Sequence, residues 1–313
     1  MIRRALAAGT VTALLAVVRF ADAHAPNSPA PWWLGLEVAR SAPASGVVAL
    51  RLPVKGKALI PGTTFTMGST PSDIDDAVAL CRREVESPLC KGNHLDGFFY
   101  EGLAHEVTVS AFWLDRTEVS VEAFDRCVAN GACEKPAFSP VDPRFALPEV
   151  PVTSVTWDQA KAYCAFVGGR LPTEAEWERA ARGEERRTFP WGDVYNEHLA
   201  NHGKLSISEE KDTVDGYAYL APVDAFYDGA TPEGVLQLAG NVSEWVSDFF
   251  EMDPGGFGYA SKPVTNPKGP PSGFGHIVRG GSYASPAAWI RGAARSASMY
   301  ASSTIGFRCA YDG

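Results

Sequence analysis

Residues 168–183 read GGRLPTEAEWERAARG. Thr173 followed by Glu176 is a T-x-x-E pair, in which the hydroxyl and the carboxylate each take a backbone N–H that the start of a helix leaves unpaired. Gly183 supplies the stop, so the spacing predicts a helix through WERAAR. The same device stands upstream. Thr156 and Gln159 form T-x-x-Q ahead of AKAYCAFV, closed by Gly168, and Ser120 is placed to cap VEAFDRCVAN, which ends near Gly131. In that segment Phe124, Cys127 and Val128 share one helical face. Before the helices, VVALRLPV (47–54) and TTFTMG (63–68) read as short strands, and EVTVSAFWLD (106–115) reads as one longer strand with valines at period two. From 184 to 275 glycine, proline, asparagine and aromatics dominate. So long a stretch without helical periodicity is usually functional or held by disulfides, ions or aromatic packing. No internal repeat is visible.

The 313 residues are 45% apolar and 21% charged, enough to bury a substantial core. Residues 1–25 carry a basic start at Arg3 and Arg4, an apolar run from Ala5 to Val18, and small-residue patterns at Ala21-Asp22-Ala23 and Ala23-His24-Ala25. This is the pattern of a cleaved secretory signal peptide. A membrane anchor needs about 20 apolar residues, and Arg19 interrupts the run. Residues 26–57 form a lead-in rich in Pro, Ala and Ser at its start, and 58–313 read as one domain. Without residues 1–25 the chain keeps 25 basic and 36 acidic side chains, a net charge of −11 against −9 for the whole sequence. Such a surface repels phosphate backbones and anionic lipid, so nucleic acid is not an expected partner. The expected location is secreted or periplasmic, with no membrane span in the mature chain.

Export favours pairing of the six cysteines. In RCVANGAC, Gly131 can turn the chain so that Cys127 meets Cys133. Cys81 and Cys90 bracket a loop-like insertion, and elimination leaves Cys164 with Cys309, although six cysteines permit about 15 pairings. Closing so long a loop stabilises by up to about 5 kcal/mol in the chain-entropy account. A zinc site would want close-set C-x-x-C pairs, which are absent. His198 and His202 stand at i and i+4 in EHLANH, a spacing that can chelate zinc on a helix, but no third ligand accompanies them. His94, His105 and His276 are isolated. Asn241-Val242-Ser243 is formally a glycosylation sequon inside a stretch expected to be packed.

The segments PGTTFTMGS, HEVTVSAFWLDRTEVSVEAF, GGRLPTEAEWERAARG, TFPWGD, APVDAF, LAGNVSEWVSD, IVRGGS and IGFRC, in this order, resemble the sulfatase-modifying factor family, which includes formylglycine-generating enzymes. The resemblance runs from about Ile60 to Tyr311. It implies an irregular α+β fold of the C-type-lectin-like kind with little regular secondary structure. It also implies a structural calcium at Asn201, His202, Asp215 and Tyr217, through hard oxygen donors. A second family calcium position falls on Gln237, Gly240, Val242 and Glu244, with Gln237 where the family has Asn or Asp.

In formylglycine-generating members the segment after RGGS holds two cysteines that bind copper(I) and oxidise a cysteine of a sulfatase peptide. Here that segment is YASPAAWIRG, shorter by about three residues, with Ser285 and Ile290 near the cysteine places. Copper(I) requires soft ligands, so copper is not expected. Ser243 also stands where many members carry an aromatic. The candidate cleft is Ser282, Tyr283, Ser285, Trp289, Arg291, Tyr300 and Glu244, with Arg279, Arg295 and Arg308 read as structural hydrogen-bond hubs. The leading expectation is a secreted binding module or pseudoenzyme with an unknown protein, peptide or small-molecule ligand. The alternatives are an enzyme of different chemistry, similar to family members that mature siderophore chromophores and using Glu244, Tyr283 or a recruited metal, or an atypical sulfatase-modifying factor. Residues 26–57 are too short for the histidine-bearing helical domain of the sulfoxide synthase relatives.

Overall fold

The computed structural model describes residues 56–84, 98, 100–136, 143–203, 213–251 and 262–313. The expected signal peptide, the lead-in as far as residue 55, the strand expected at 47–54, Cys90 and His94 lie outside the described residues. Each predicted helix is present with its predicted cap. Helix α2 (Val121–Ala129) starts from Ser120, α3 (Trp157–Phe166) from Thr156 and α4 (Glu174–Arg182) from Thr173, and the last two show both hydrogen bonds of a capping box. Another helix, α1 (Pro71–Glu84), stands where the sequence suggests the start of a loop-like insertion, so Cys81 lies on a helix. Its start is also reciprocal: the Thr70 N–H donates to Asp73 Oδ2 and the Asp73 N–H to Thr70 Oγ1. EVTVSAFWLD is two strands rather than one. β3 (His105–Val109) pairs with β2 (Thr63–Met67), and β4 (Phe112–Asp115) pairs with β1 (Lys57–Ile60) in a different sheet. The break at Ser110-Ala111 sits against Gly62, where a Cβ would lie 2.6 Å from the Ala111 nitrogen.

Among the described residues there are three small sheets. Their strand orders are β1-β4-β10, β2-β3-β6 and β8-β7-β5-β9, with β5 (Ser243–Phe249), β6 (Val264–Thr265), β7 (His276–Arg279), β8 (Arg295–Ser298), β9 (Ile305–Gly306) and β10 (Ala310–Asp312). One core cluster packs Phe124, Val155, Leu171, Trp245 and Phe307 around the Cys164–Cys309 disulfide; a second gathers Ile60, Phe112, Leu114 and Leu238 on Trp177 of α4. Cys127 pairs with Cys133 and Cys164 with Cys309, their Cα atoms 5.3 and 5.5 Å apart. Cys81 is also disulfide-bonded. No helix among the described residues is long and apolar enough to cross a membrane.

Candidate functional site

The site is built where β7 ends. Gly280 and Gly281 both take positive φ, +88° and +66°, and a Cβ on Gly281 would lie 2.7 Å from the Trp289 carbonyl oxygen, so only glycine lets the two backbones meet. The turn that follows folds on itself. The Ser282 N–H donates to Ser285 Oγ (2.9 Å), the Ser285 N–H to the Ser282 carbonyl (2.8 Å), and a short 3₁₀ turn, Ala287–Trp289, closes the segment. Beside it opens a cavity of about 340 Å³. Ser282, Ser285 and Trp289 line it from this turn, Ser243 from β5, Ser296 and Ser298 from β8, and Ser302 and Thr304 from the approach to β9. Among the described residues its one charged group is Arg295, whose Nε and Nη2 both donate to Glu174 at 2.8 Å.

Only part of the expected cleft converges on this cavity. Tyr283 turns into an aromatic cluster, 5.9 Å from the Phe145 ring and 5.7 Å from Tyr219, and burial raises its hydroxyl pKa. Arg291 points to Glu101 Oε1 (2.7 Å) and the Ala288 carbonyl. Tyr300 is exposed and outside the lining. Glu244 is fully buried and accepts from Arg308 Nη2 (2.6 Å), Arg308 Nε (2.7 Å) and the Trp177 indole N–H (2.8 Å). A carboxylate held by three such donors, two of them on one cation, is committed to that ion pair rather than poised for proton transfer. Sequence alone does not single out Ser296, Ser298, Ser302 and Thr304; their signal is the hydroxyl-rich run between Arg295 and Thr304.

The arginines expected as hubs are all buried: Arg279 and Arg295 share Glu174, while Arg308 pairs separately with Glu244. Arg279 donates to Glu174 (3.1 Å), to Glu178 (2.5 Å) and to the carbonyls of Gly292 and Ala293. Glu178 also accepts from Arg182 and from the Gly68 N–H, each at 2.8 Å. Burial pushes the Glu178 pKa upward, but Arg279 and Arg182 outweigh it and hold the carboxyl below its ordinary range. The pairing of β5 with β7 sets Glu244 opposite Arg279 in register, yet each charge is met elsewhere, Glu244 by Arg308 and Arg279 by Glu174 and Glu178.

Asn201, His202, Asp215 and Tyr217 do come together. Asp215 accepts the His202 N–H at Oδ2 and the Tyr217 N–H at Oδ1, both at 2.8 Å. Asn201 is fully buried and spends its amide N–H groups on the Tyr219 carbonyl and on Asn241 Oδ1, while its own Oδ1 has no hydrogen-bond partner among the described residues. At the second expected position Gln237 is buried with φ of +54°; its amide nitrogen donates to the Pro222 carbonyl, and its Oε1 is likewise without a partner. Gly240 lies against Asn201, and its N–H donates to the Gly280 carbonyl, so both positions adjoin the turn at the cleft. Glu118, not anticipated from sequence, accepts from Asn241 and Gln237, and burial pushes its carboxyl up to about 8. Asn241 is fully buried, which leaves the sequon inaccessible in the folded chain. Residues 197–200 form a turn and a bend rather than a helix, so His198 and His202 share no helical face; His202 bonds Tyr195 at 2.9 Å, and His198 is exposed. His105 contacts the Leu103 carbonyl, and His276 stacks on Trp157.

Residues 47–313 match the domain family described as sulfatase-modifying factor enzyme 1-like. Bos taurus formylglycine-generating enzyme is 35% identical over 288 residues, covering 81% of this chain and 74% of that protein. A Bos taurus protein named inactive C-alpha-formylglycine-generating enzyme 2 is 38% identical over 104 residues, covering 33% of this chain and 34% of that protein. Among solved structures, PvdO from Pseudomonas aeruginosa superposes with a TM-score of 0.58 at 26% identity, covering 82% of this chain and 94% of its own. Treponema denticola variable protein 1 shares the fold, with a TM-score of 0.59 at 20% identity over 82% of this chain and 95% of its own.

Proposed function

The chain belongs to the sulfatase-modifying factor enzyme 1-like family, and we propose that within it this protein is an exported binding module that has kept the frame without the thiol-based oxidase chemistry. The observation that carries this reading is the lining of the cleft. Among the described residues its polar side chains are hydroxyls, apart from the Trp289 indole and an arginine already committed to Glu174. A serine hydroxyl without a neighbouring base is a poor nucleophile and a poor copper(I) ligand. No cysteine lies between Cys164 and Cys309, and those two are paired with each other. Glu244 and Tyr283, which a different chemistry on this frame would use, are held by Arg308 and by the aromatic cluster. A relative named as inactive fits the same reading. Export fits the disulfides, since an oxidising compartment maintains them.

The test is incubation of the purified full chain with a cysteine-containing sulfatase peptide, copper and oxygen, followed by mass spectrometry. The peptide is expected to stay unmodified; loss of the thiol with gain of an aldehyde overturns the reading.

Calcium belongs to the same proposal. The residues that would hold it are Asn201, His202, Asp215 and Tyr217. Their fit is supported by the buried Asn201 oxygen, which has no hydrogen-bond donor among the described residues and is a hard oxygen of the type calcium takes. Bound there, the ion would supply charge balance and cross-link loops that lack regular structure. Gln237 offers a similar oxygen at the second position, but the Glu244 carboxylate is shared with Arg308, so the donor set fits less well.

A further inference from the structure

A second concavity, of about 720 Å³, shares no lining residue with the hydroxyl-lined cleft among the described residues. It opens between α3, the approach to α4 and the turn after β6, and neither the family assignment nor the proposed function uses it. Its floor is apolar. Phe112 and Leu171 are 1% and 2% exposed, and half-buried Trp157 presents carbon surface, because its indole N–H is spent on the Val246 carbonyl at 2.7 Å. The two side-chain carboxylates in the lining, Glu176 and Asp312, both pair with Arg170, at 2.7 and 2.8 Å. The remaining charged side chains are cationic. Lys161 and Lys268 are exposed and form no ion pair among the described residues; Asp158, one turn back from Lys161, is not paired with it. Lys161 Nζ stands 4.8 Å from the centre of the Trp157 ring. The turn carrying Lys268 is pinned: Asn266 Oδ1 accepts the Ser110 N–H at 2.8 Å, its Nδ2 donates to Ser110 Oγ at 3.0 Å, and Gly269 packs so closely on Asp248 that a Cβ would lie 2.8 Å from it.

We propose that this cavity binds a small organic acid with an apolar body, its anionic head held by Lys161 and Lys268 and its carbon skeleton covering Trp157, Phe112 and Leu171. The volume falls in the range of about 300–1,000 Å³ usual for small-molecule sites, which are mostly apolar with a few fixed polar groups. A charged head gains from lysines whose charge no described carboxylate has neutralised; Glu176 and Asp312 against the single Arg170 leave one negative charge, so with Lys161 and Lys268 the side chains of the lining sum to one positive charge.

Isothermal titration calorimetry of the full chain with octanoate tests this, with acetate and 1-octanol as the head-only and tail-only probes. One octanoate per chain is expected, with both partial probes at least tenfold weaker. The exposed double substitution K161E/K268E should weaken octanoate at least tenfold without shifting the melting temperature, and the charge-matched control K135E/K262E should leave it unchanged. No measurable octanoate binding, equal affinity for 1-octanol, an unchanged K161E/K268E affinity or an equal loss in the control overturns the proposal.

Discussion

Asp248 sits under the start of α4, where its Oδ2 accepts the Glu174 N–H and the Ser247 hydroxyl, both at 2.9 Å. Burial first, and then the nearby Glu174 charge, push its carboxyl up to about 7 from an ordinary 3.8. A carboxyl whose folded pKa is raised keeps its proton in the fold where the unfolded chain has released it. Its contribution to stability is therefore complete below the unfolded value and is lost as pH rises from about 4 through 7. An asparagine in its place would keep an acceptor for the helix start and would not titrate. Thermal melts from about pH 4 to 8 should show D248N gaining on the wild type as pH rises through that window; a difference independent of pH sinks the assignment. Arg308 makes the complementary case. It and Glu244 are both fully buried, so R308M leaves a carboxylate without its cation and is expected to cost about 3–5 kcal/mol in urea unfolding. R308M/E244Q should recover part of that loss, because the charge left behind, rather than the lost contact, dominates the penalty.

Elements in this chain are set by their ends. In α4, Thr173 Oγ1 accepts the Glu176 N–H at 3.2 Å, and the Glu176 carboxylate returns the bond to the Thr173 N–H at 2.8 Å. T173A should cost about 1 kcal/mol, read as a lower urea midpoint at unchanged slope. A larger cost would mean that the cap also holds Glu176 in place for Arg170, which it pairs at 2.7 Å. Caps of this kind are why three helices can be read from sequence. The α1 start carries the same device with Asp73 in the third position and Pro71 opening the helix, but the nearby cysteines suggest a loop instead. The strands are less legible because Ala111 and Trp113 extend the odd-numbered apolar set of Val107 and Val109, whereas the buried residues switch to Phe112 and Leu114 where the chain changes sheets beside Gly62. The cleft is legible through Ser282, Ser285 and Trp289, which are close in sequence. Its other wall comes from β5, β8 and the turn before β9, and no local pattern announces that those segments meet. Tyr283 and Arg291 leave the cleft for the converse reason: neighbours on an irregular turn point to different sides.

At the scale of the whole molecule, the described residues between α4 and β5 contain little regular structure, so something other than backbone ladders has to fix them. Aromatic packing contributes, with Tyr219 and Tyr283 meeting at Phe145. Hydrogen bonding to Asp215 and Asn201 contributes too, yet it leaves the Asn201 oxygen buried without a donor among the described residues, a penalty of about 1–3 kcal/mol unless a ligand meets it. A bound calcium ion would remove that penalty and add its own linkage, about 2.7 kcal/mol at a free concentration a hundred times its dissociation constant. Chelation with EGTA should therefore lower the melting temperature of the wild type by several degrees, and excess calcium but not magnesium should restore it, since magnesium dehydrates reluctantly and demands a tighter octahedron. D215N, which keeps a side-chain oxygen but loses the charge, should melt lower at the outset and respond little to EGTA. Because Asn201 lies against Gly240, and Gly240 bonds the Gly280 carbonyl beside the hydroxyl-lined cavity, hydrogen exchange at Ser282 and Ser285 should rise on chelation along with that at Tyr217. A melting temperature indifferent to EGTA removes calcium from this fold, and faster exchange confined to 213–217 would show that the ion tie stops short of the cleft.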